Sequence, residues 1–262
     1  MICAGIDAGS RSIKVVLFET EQERVQGCGI ADQGVEQERL ASELFERTCR
    51  ETGIARADVT ATVATGYGLK SVRFADTTIT EITCHARGVY QVAPEARTII
   101  EIGGQDSKCL TIEDGGHVRD FAMNDRCAAG SGRFLEVVAT RLGIDLVTLG
   151  ELSRQSRKPA LISSMCVVFA ETEIVGLLAE GLPAPDIAAG VQNAIAQRVV
   201  ALTARSVAAP VYFTGGVALQ SGMARALEAA LGCPVKISPL PQYTGALGAA
   251  VLAGKRHGGP NS

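Results

Sequence analysis

Short apolar runs alternate with glycine turns and with segments of helical period along the whole chain. Residues 3–7 form the first apolar run, residues 8–12 a polar turn, and residues 13–18 a second apolar run. Two short apolar runs around a Gly-Ser turn predict a β-hairpin. Residues 59–64 and 211–214 are further predicted strands, and each is followed by a glycine turn.

Apolar positions three and four residues apart predict the helices. Gly53 and Gly232 follow two of these segments, which is typical of helix ends. The tail 255–262 is predicted to fray. The predicted helices cover residues 38–53, 82–90, 131–142, 167–180, 186–207, 221–231 and 245–252.

The segment 98–108 repeats the opening hairpin. The alignment pairs an acid, a glycine and a lysine in the two copies: Asp7 with Glu101, Gly9 with Gly103 and Lys14 with Lys108. Glycine turns between strands are common, so chance similarity is the alternative. Three matches at one offset favour a duplicated strand–turn–strand unit.

Strands that alternate with helices around a repeated core predict an α/β architecture of two similar lobes. The junction is expected near residues 94–97, where a proline closes a helical segment. We predict lobe I over residues 1–95, completed by the C-terminal helix 243–262, and lobe II over residues 96–242. Lobe I would carry the first glycine turn, and lobe II the second turn, a third turn and two unusual cysteines.

Composition and charge exclude several classes of partner. The 262 residues are 47% hydrophobic and 20% charged, the balance of a globular protein with one large domain or two small ones. A net charge of −3 and 4% aromatic residues favour neither nucleic acid nor an anionic membrane as a partner. No basic segment precedes the first apolar run and no run is long enough to span a membrane, so a cytoplasmic location is predicted.

The two duplicated turns are typical of phosphate binding. Glycine allows main-chain N–H groups to approach phosphate oxygens, and nearby hydroxyl and ammonium groups add donors. A third turn, between a strand and a helix, is expected to lie under the adenosine, although a plain connection is the alternative. The residues assigned to ATP are Asp7, Gly9, Ser10, Ser12, Lys14, Gly103, Gly104, Gln105, Gly215, Gly216 and Val217.

The carboxylates of these turns suggest a magnesium site. Like charges repel, so Asp7, Glu101 and Asp106 are expected to hold a hydrated Mg²⁺ through its waters rather than to touch phosphate. Gln105 or Asp106 is the candidate catalytic residue that positions an attacking water. The chain contains neither a P-loop motif nor a dinucleotide-binding Gly-x-Gly-x-x-Gly motif, which disfavours both of those classes. The three turns fit the duplicated, ribonuclease H-like fold of the actin, sugar-kinase and heat-shock-chaperone ATPases.

The eight cysteines contain no Cys-x-x-Cys pair, so no local zinc or redox motif is predicted. A disulfide framework is not expected in a reducing cytosol. Six of the cysteines are predicted to pack as small hydrophobic residues: Cys3, Cys28, Cys49, Cys84, Cys109 and Cys233.

Cys127 and Cys166 differ because each is predicted at or just before a helix start. The positive end of a helix dipole favours a thiolate there and stabilises an anionic iron–sulfur cluster. Two thiolates are half of a four-ligand site, which a twofold homodimer could complete. On spacing alone, two buried cysteines without a ligand role remain the alternative.

The residues around these two cysteines resemble one known family. Segments 124–135 (NDRCAAGSGRFL) and 163–173 (SSMCVVFAETE) are similar to the ATP-dependent activators of 2-hydroxyacyl-CoA dehydratases, in the BadF/BadG/BcrA/BcrD ATPase family. The ATPase subunits of benzoyl-CoA reductase belong to the same family. The resemblance covers nearly the whole chain, including residues 64–68, 101–108, 214–218 and 245–250.

The resemblance implies a homodimer with one 4Fe–4S cluster, ligated by Cys127 and Cys166 of each chain. It also implies one Mg-ATP per chain in an actin-like cleft, whose hydrolysis changes the angle between the helices that start at the cluster. An electron from ferredoxin or flavodoxin would then pass to a partner enzyme for a radical dehydration or a ring reduction of an acyl-CoA. Glu101 stands where the family usually has aspartate, which puts its part in the magnesium site in doubt.

Three other functions are compatible with parts of the pattern. The chain could be the ATPase subunit of a benzoyl-CoA reductase, which stays in a stable complex with its partner. It could be a small-molecule kinase of the same superfamily, although no catalytic carboxylate motif for a sugar or acid pocket is found. It could also be an ATP-gated binding module that resembles the chaperones and holds no metal.

Overall fold

The computed structural model describes residues 1–163, 166–203 and 207–257, and for residues 256 and 257 it describes the backbone alone. The chain divides into two compact units. Unit 1 comprises residues 1–95, 112–119 and the chain from residue 242 onwards, and unit 2 comprises residues 96–111 and 120–241.

Unit 1 contains a five-stranded sheet with strand order β3-β2-β1-β4-β5, and its described residues form three α-helices. Its elements are β1 (Ile2–Ala8), β2 (Ser12–Glu19), β3 (Arg24–Asp32), α1 (Gln37–Thr52), β4 (Val59–Thr65), β5 (Thr77–Thr78), α2 (Glu81–Val92) and α8 (Thr244–His257).

The opening hairpin is confirmed. β1 pairs antiparallel with β2, in a register that places Asp7 opposite Lys14. β1 also pairs in parallel with β4 on its other edge, so it lies at the centre of the sheet. This central position explains why the strand is almost continuously apolar.

The predicted small-residue helix near the C-terminus is confirmed as α8, which packs against α2, β1, β2 and β4. A Cβ atom added at Gly248 would lie 1.7 Å from the carbonyl oxygen of Cys84, so only glycine permits this approach of the two helices. The helix is longer than predicted. Residues 255–257, expected in a frayed tail, continue it, and residues 258–262 lie outside the described residues.

Unit 2 is built on a second five-stranded sheet, with strand order β10-β9-β6-β7-β8. Its elements are β6 (Thr98–Ile102), β7 (Ser107–Glu113), β8 (His117–Asn124), α3 (Gly132–Leu142), α4 (Leu146–Ser153), α5 (Val167–Ala179), α6 (Ala184–Val200), β9 (Val211–Thr214), α7 (Met223–Leu231) and β10 (Val235–Ile237). Residues 112–119, which include the end of β7 and the start of β8, belong to unit 1.

The repeat of the opening hairpin is also confirmed. β6 pairs antiparallel with β7 and places Glu101 opposite Lys108, as β1 and β2 place Asp7 opposite Lys14. β6 is fully buried, and side chains of the helices in unit 2 pack with its apolar residues in one core that includes Phe134 and Phe213.

Two predicted helix boundaries are wrong. The helix predicted over 186–207 is α6, which begins at Ala184 and ends at Val200. Thr203 donates its hydroxyl to the carbonyl oxygen of Val200 at 2.7 Å, and such a bond competes with continuation of the helix. Residues 204–206 lie outside the described residues. The helix predicted from 221 begins at Met223, after the left-handed Gly222 (φ +90°).

Among the residues that the structure describes, no helix combines the length and the apolar character that crossing a membrane requires.

Candidate functional site

The first glycine turn connects β1 to β2 and gathers the residues predicted from lobe I. Asp7 ends the buried strand, is 5% exposed, and has its Oδ2 3.4 Å from Nζ of Lys14. The N–H of Gly9 donates to the carbonyl oxygen of Ser12 at 3.1 Å, and Ser10 lies in the turn that this bond closes. A carboxylate, an ammonium group and two hydroxyls therefore lie on one short hairpin.

The second glycine turn repeats this geometry between β6 and β7. The N–H of Gly103 donates to the carbonyl oxygen of Asp106 at 3.0 Å, at the position of the Gly9–Ser12 bond. Glu101 lies at the base of the turn and is 4% exposed. Gln105 is exposed at its tip, and Gly104 beside it is half-buried.

Lys108 joins the two carboxylates of the second turn. Its Nζ lies 2.9 Å from Oε2 of Glu101 and 2.7 Å from Oδ2 of Asp106, and the residue is only 1% exposed. The alignment of the two hairpins placed it on Lys14 but assigned it no role. Its equivalence to Lys14, in the same register opposite an acid, is the signal that identifies it as a site residue.

The third glycine turn lies against the second. Gly215 has a φ of +88°, and a Cβ atom there would lie 2.3 Å from the carbonyl oxygen of Ile102 and 2.7 Å from Oε1 of Glu101. Only glycine allows this backbone to pass so close to the carboxylate. A 3₁₀ turn over Gly216–Leu219 follows, with Gly216 exposed and Val217 buried.

The loop at residues 66–68 packs against the first glycine turn. The N–H of Gly68 donates to the carbonyl oxygen of Ala8 at 2.8 Å. Gly66 has a φ of +87°, and a Cβ atom there would lie 2.3 Å from Oδ1 of Asp7. The sequence showed this loop only as a glycine turn, because nothing local indicates that it contacts Asp7.

The buried His85 lies close to Asp7. Its Nδ1 lies 3.0 Å from Oγ1 of Thr244 at the start of α8. A Cβ atom added at Gly245 would lie 3.2 Å from both Oδ2 of Asp7 and Nε2 of His85, so α8 approaches both side chains. His85 is therefore a buried residue whose ring lies between α2 and the start of α8.

The two unusual cysteines occupy different local structures. Cys166 is exposed and caps the N-terminus of α5, where its carbonyl oxygen accepts from the N–H of Ala170 at 2.8 Å. Cys127 is half-buried and precedes a 3₁₀ turn, while the N-cap of α3 is Ser131. Cys166 therefore lies at a helix start, and Cys127 is the N-cap of a 3₁₀ turn that lies between it and α3.

Asn124 fixes the backbone of Cys127. Its Nδ2 donates to the carbonyl oxygen of Cys127 at 2.8 Å, and its Oδ1 accepts from the N–H of Cys127 at 3.1 Å. Among the described residues, no three His, Cys, Asp or Glu side chains come together in a way that could hold a metal ion.

Of the other six cysteines, four are buried as predicted, and Cys28 and Cys233 are half-buried. Burial raises the pKa of the Cys84 thiol to about 12 and those of Cys28 and Cys109 to about 11. Burial also raises the pKa of Cys3 and Cys49. Since the thiolate is the reactive form, a raised pKa makes these five thiols less reactive at neutral pH than an exposed thiol of ordinary pKa.

Alkylation of metal-free protein with iodoacetamide at pH 7.5 should distinguish the exposed Cys166 from the cysteines whose pKa burial raises. We expect Cys166 to react first, because it is exposed, and Cys84 to resist, because a thiol with a pKa of about 12 is ionised in fewer than about one molecule in a thousand. Peptide mass spectrometry measures the labelling of each cysteine, and unfolding in urea should remove the difference. Equal labelling of Cys84 and Cys166 in the folded protein would contradict this assignment.

The duplicated hairpins, each closed by the same turn and carrying the same lysine–acid pair, define a two-lobed ATPase with the actin and sugar-kinase fold. A hexokinase of the ROK family from Thermus thermophilus shares this fold, with a TM-score of 0.53 at 16% identity over 98% of this chain. The chain belongs to the BadF/BadG/BcrA/BcrD ATPase family, whose sequence model matches residues 4–253. The chain is therefore an ATPase, and the family predicted from the cysteine segments is confirmed.

Several relatives are similar over their full length. The 2-hydroxyisocaproyl-CoA dehydratase activator of Clostridioides difficile is 41% identical over 258 residues, which is 97% of this chain and 95% of the relative. The structure of that organism's activator with bound ADPNP has a TM-score of 0.92 at 39% identity and covers 100% of this chain and 99% of its own.

The crystal structure of component A of the (R)-2-hydroxyglutaryl-CoA dehydratase of Acidaminococcus fermentans has a TM-score of 0.94 at 38% identity. It covers 99% of this chain and 100% of its own. One subunit of the benzoyl-CoA reductase of Thauera aromatica is a more distant relative, 34% identical over 267 residues that cover 98% of this chain and 94% of the relative.

Proposed function

We propose that this ATPase activates a 2-hydroxyacyl-CoA dehydratase by delivering an electron to it at the expense of ATP. The observation that carries the proposal is the identity of 41% with a named dehydratase activator over nearly the full length of both chains. The identity of 34% with the benzoyl-CoA reductase subunit is lower, which favours the activator over the reductase subunit. The proposed location is the cytoplasm, where a reducing environment suits eight cysteines that form no disulfide.

We assign the ATP phosphates to the glycine turns described above. In unit 1 the donors would be the backbone of Gly9, the hydroxyls of Ser10 and Ser12, and the ammonium group of Lys14. In unit 2 they would be the backbone of Gly103 and Gly104 and the side chain of Gln105. Gly215, Gly216 and Val217 would lie under the adenosine. A relative of the same family and fold binds ADPNP, which supports a nucleotide at these turns.

The carboxylates of the turns suit a hydrated magnesium ion. Asp7, Glu101 and Asp106 would accept hydrogen bonds from its waters, since carboxylate oxygens are the donors that Mg²⁺ prefers. Glu101 forms an ion pair with Lys108 at the base of the turn. This pair limits how far the glutamate side chain extends towards the proposed ion, although glutamate is longer than aspartate. Gln105, which is exposed at the tip, and Asp106 are the candidates that position the attacking water.

Cys127 and Cys166 suit a cluster shared by two chains. Both carry reduced thiols, and thiolate is the donor that iron–sulfur clusters take. A 4Fe–4S cluster takes four such donors, so two chains that contribute two each would complete one site on a twofold axis. When bound, the cluster supplies a one-electron carrier. In this chain Asn124 holds the backbone of Cys127, and α5 directs its positive end towards Cys166.

The remaining parts of the proposal concern the partners. Ferredoxin or flavodoxin would supply the electron, and the dehydratase would receive it. The final acyl-CoA substrate binds the dehydratase and not this chain. A transient association with the dehydratase is expected of an activator.

Anaerobic reconstitution with iron and sulfide tests this proposal. Native mass spectrometry of the reconstituted protein should show two chains with four iron and four sulfide ions, and the solution should be brown and sensitive to oxygen. A protein that binds ATP but stays colourless and metal-free after reconstitution would contradict the proposal. That result would favour a kinase or an ATP-gated binding module of the same fold.

A further inference from the structure

The second glycine turn is hydrogen-bonded to the start of α3. The N–H of Gly132 donates to the carbonyl oxygen of Gly103 at 2.9 Å, and the N–H of Arg133 donates to that of Gly104 at 2.8 Å. The first N–H groups of a helix have no partner within the helix, so the turn completes the N-terminus of α3. A change in the backbone of the turn therefore acts directly on this helix.

The other end of α3 is linked to α5. The guanidinium group of Arg141, in the last turn of α3, forms an ion pair and a hydrogen bond with Glu171 of α5. The two helices also pack against each other. Glu171 lies in the second turn of α5, whose N-cap is Cys166.

A second carboxylate of α5 binds Ser163, three positions before Cys166 in the sequence. Oε1 of Glu173 accepts from the N–H of Ser163 at 2.8 Å and from its hydroxyl at 2.7 Å. Cys166 is therefore flanked by two attachments, one through Glu173 on its N-terminal side and one through Glu171 within its own helix. The attachment through Glu171 reaches α3.

We infer that Arg141 is a positioning residue that ties Cys166 to the second glycine turn through α3. This inference rests on the proposed function, in which the turn binds phosphate and Cys166 holds the cluster. α3 has 11 residues and spans about 16 Å, and a helix of this length transmits a displacement of one end to the other. The ion pair converts that displacement into a movement of α5.

The pair can be removed without loss of the fold. Its side chains are 52% and 28% exposed, and exposed ion pairs contribute little to stability. Arg133 offers a matched control, because it lies on the same helix and pairs with Glu136 of that helix at 3.0 Å. Replacing Arg133 removes an exposed arginine from α3 but leaves the link to α5 in place.

Hydrogen exchange of the full-length chain, with and without Mg²⁺ and ADPNP, tests the inference. In the wild type we expect ADPNP to slow exchange at residues 103–107 and 132–135, and also at residues 167–171. In Arg141→Met the first two effects should persist, and the effect at 167–171 should fall by about two- to fivefold, the change that an exposed ion pair can account for. Arg133→Met should behave as the wild type.

The charge-reversed double variant, Arg141→Glu with Glu171→Arg, should recover the effect at residues 167–171. Protection of these residues in Arg141→Met equal to that in the wild type would overturn the inference. So would a wild type in which ADPNP protects the turn but not residues 167–171. If ADPNP protects no residue of the turn in the wild type, the proposed phosphate site fails, and the inference fails with it.

Discussion

Replacement of Cys166 by serine is expected to abolish cluster binding and to leave ATP binding intact. In the proposed dimer each chain supplies two thiolates, so one replacement removes two of the four ligands from the shared site. Cys166 is exposed at the N-cap of α5 and packs against little, so a serine of similar size should not disturb the fold. Iron and sulfide per dimer should fall to background after reconstitution, while ADPNP still binds with about the affinity of the wild type.

Cys127→Ser should give the same loss, and Cys233→Ser provides the control. Cys233 is also half-buried and lies outside the proposed site, so its replacement should leave the iron content unchanged. A full cluster that still bridges the dimer in either Cys127→Ser or Cys166→Ser would refute the assignment of the ligands.

Lys108→Met should lower the free energy of unfolding by about 3 kcal/mol and ATP hydrolysis by about 10- to 100-fold. Its ammonium group is almost completely buried and lies between the carboxylates of Glu101, which is buried, and Asp106, which is partly exposed, so its loss removes the cation that pairs with both. The two carboxylates would then repel each other, and small displacements of positioning groups have large effects on rate. Chemical denaturation and steady-state hydrolysis measure the two effects.

Lys14→Met is the matched comparison, because Lys14 is the equivalent residue of the first turn. Among the described residues its Nζ pairs with the one carboxylate of Asp7, at 3.4 Å, and its side chain is 16% exposed. We expect a loss of stability of about 1 kcal/mol or less and mainly a higher KM for ATP. Adding Glu101→Gln to Lys108→Met should recover part of the stability but not the activity. Equal losses of stability in Lys14→Met and Lys108→Met would contradict this account of Lys108.

The duplicated hairpins could be predicted from the sequence because strand register follows from residue spacing. An acid, a glycine and a lysine at one offset place Asp7 opposite Lys14 and Glu101 opposite Lys108, and both pairs are found in the structure. The same spacing could not show that Lys108 contacts Asp106 as well. That contact depends on how the second turn folds, which the residue pattern does not contain.

A strand whose residue types depend on the element packed against it could not be predicted from the sequence, and β3 is such a strand. β3 carries glycines where its own strand pattern would favour larger residues, because α1 lies over it. A Cβ atom at Gly27 would lie 2.1 Å from Cγ2 of Thr52, and one at Gly29 would lie 2.2 Å from Oγ1 of Thr48. A strand that needs glycine beneath a helix shows no β-propensity of its own.

β8 and α4 were missed for other reasons. β8 is an edge strand with charged and exposed residues, which resembles a loop in sequence. α4 did carry a local signal, since the Asp145 side chain accepts from the N–H of Thr148 at 2.7 Å as a helix cap. The short strands β5 and β10 have two and three residues and are too brief for any periodic pattern.

The cysteines also show which features of the site could be predicted from the sequence and which could not. Position along the chain separated Cys127 and Cys166 from the other six, of which four are buried as predicted. The pattern could not show the 3₁₀ turn over Ala128–Gly130, which lies between Cys127 and α3.

The most direct test of the proposed function is the activation of a dehydratase. The reconstituted protein would be mixed with a chemical reductant, purified 2-hydroxyisocaproyl-CoA dehydratase and its acyl-CoA substrate, and dehydration measured with ATP, with ADPNP and without nucleotide. We expect dehydration only with ATP, and none with ATP when Cys166→Ser replaces the wild type. Dehydration that proceeds equally without ATP, or that Cys166→Ser supports as well as the wild type, would contradict the proposal that ATP hydrolysis in this chain drives an electron from a cluster held by Cys127 and Cys166.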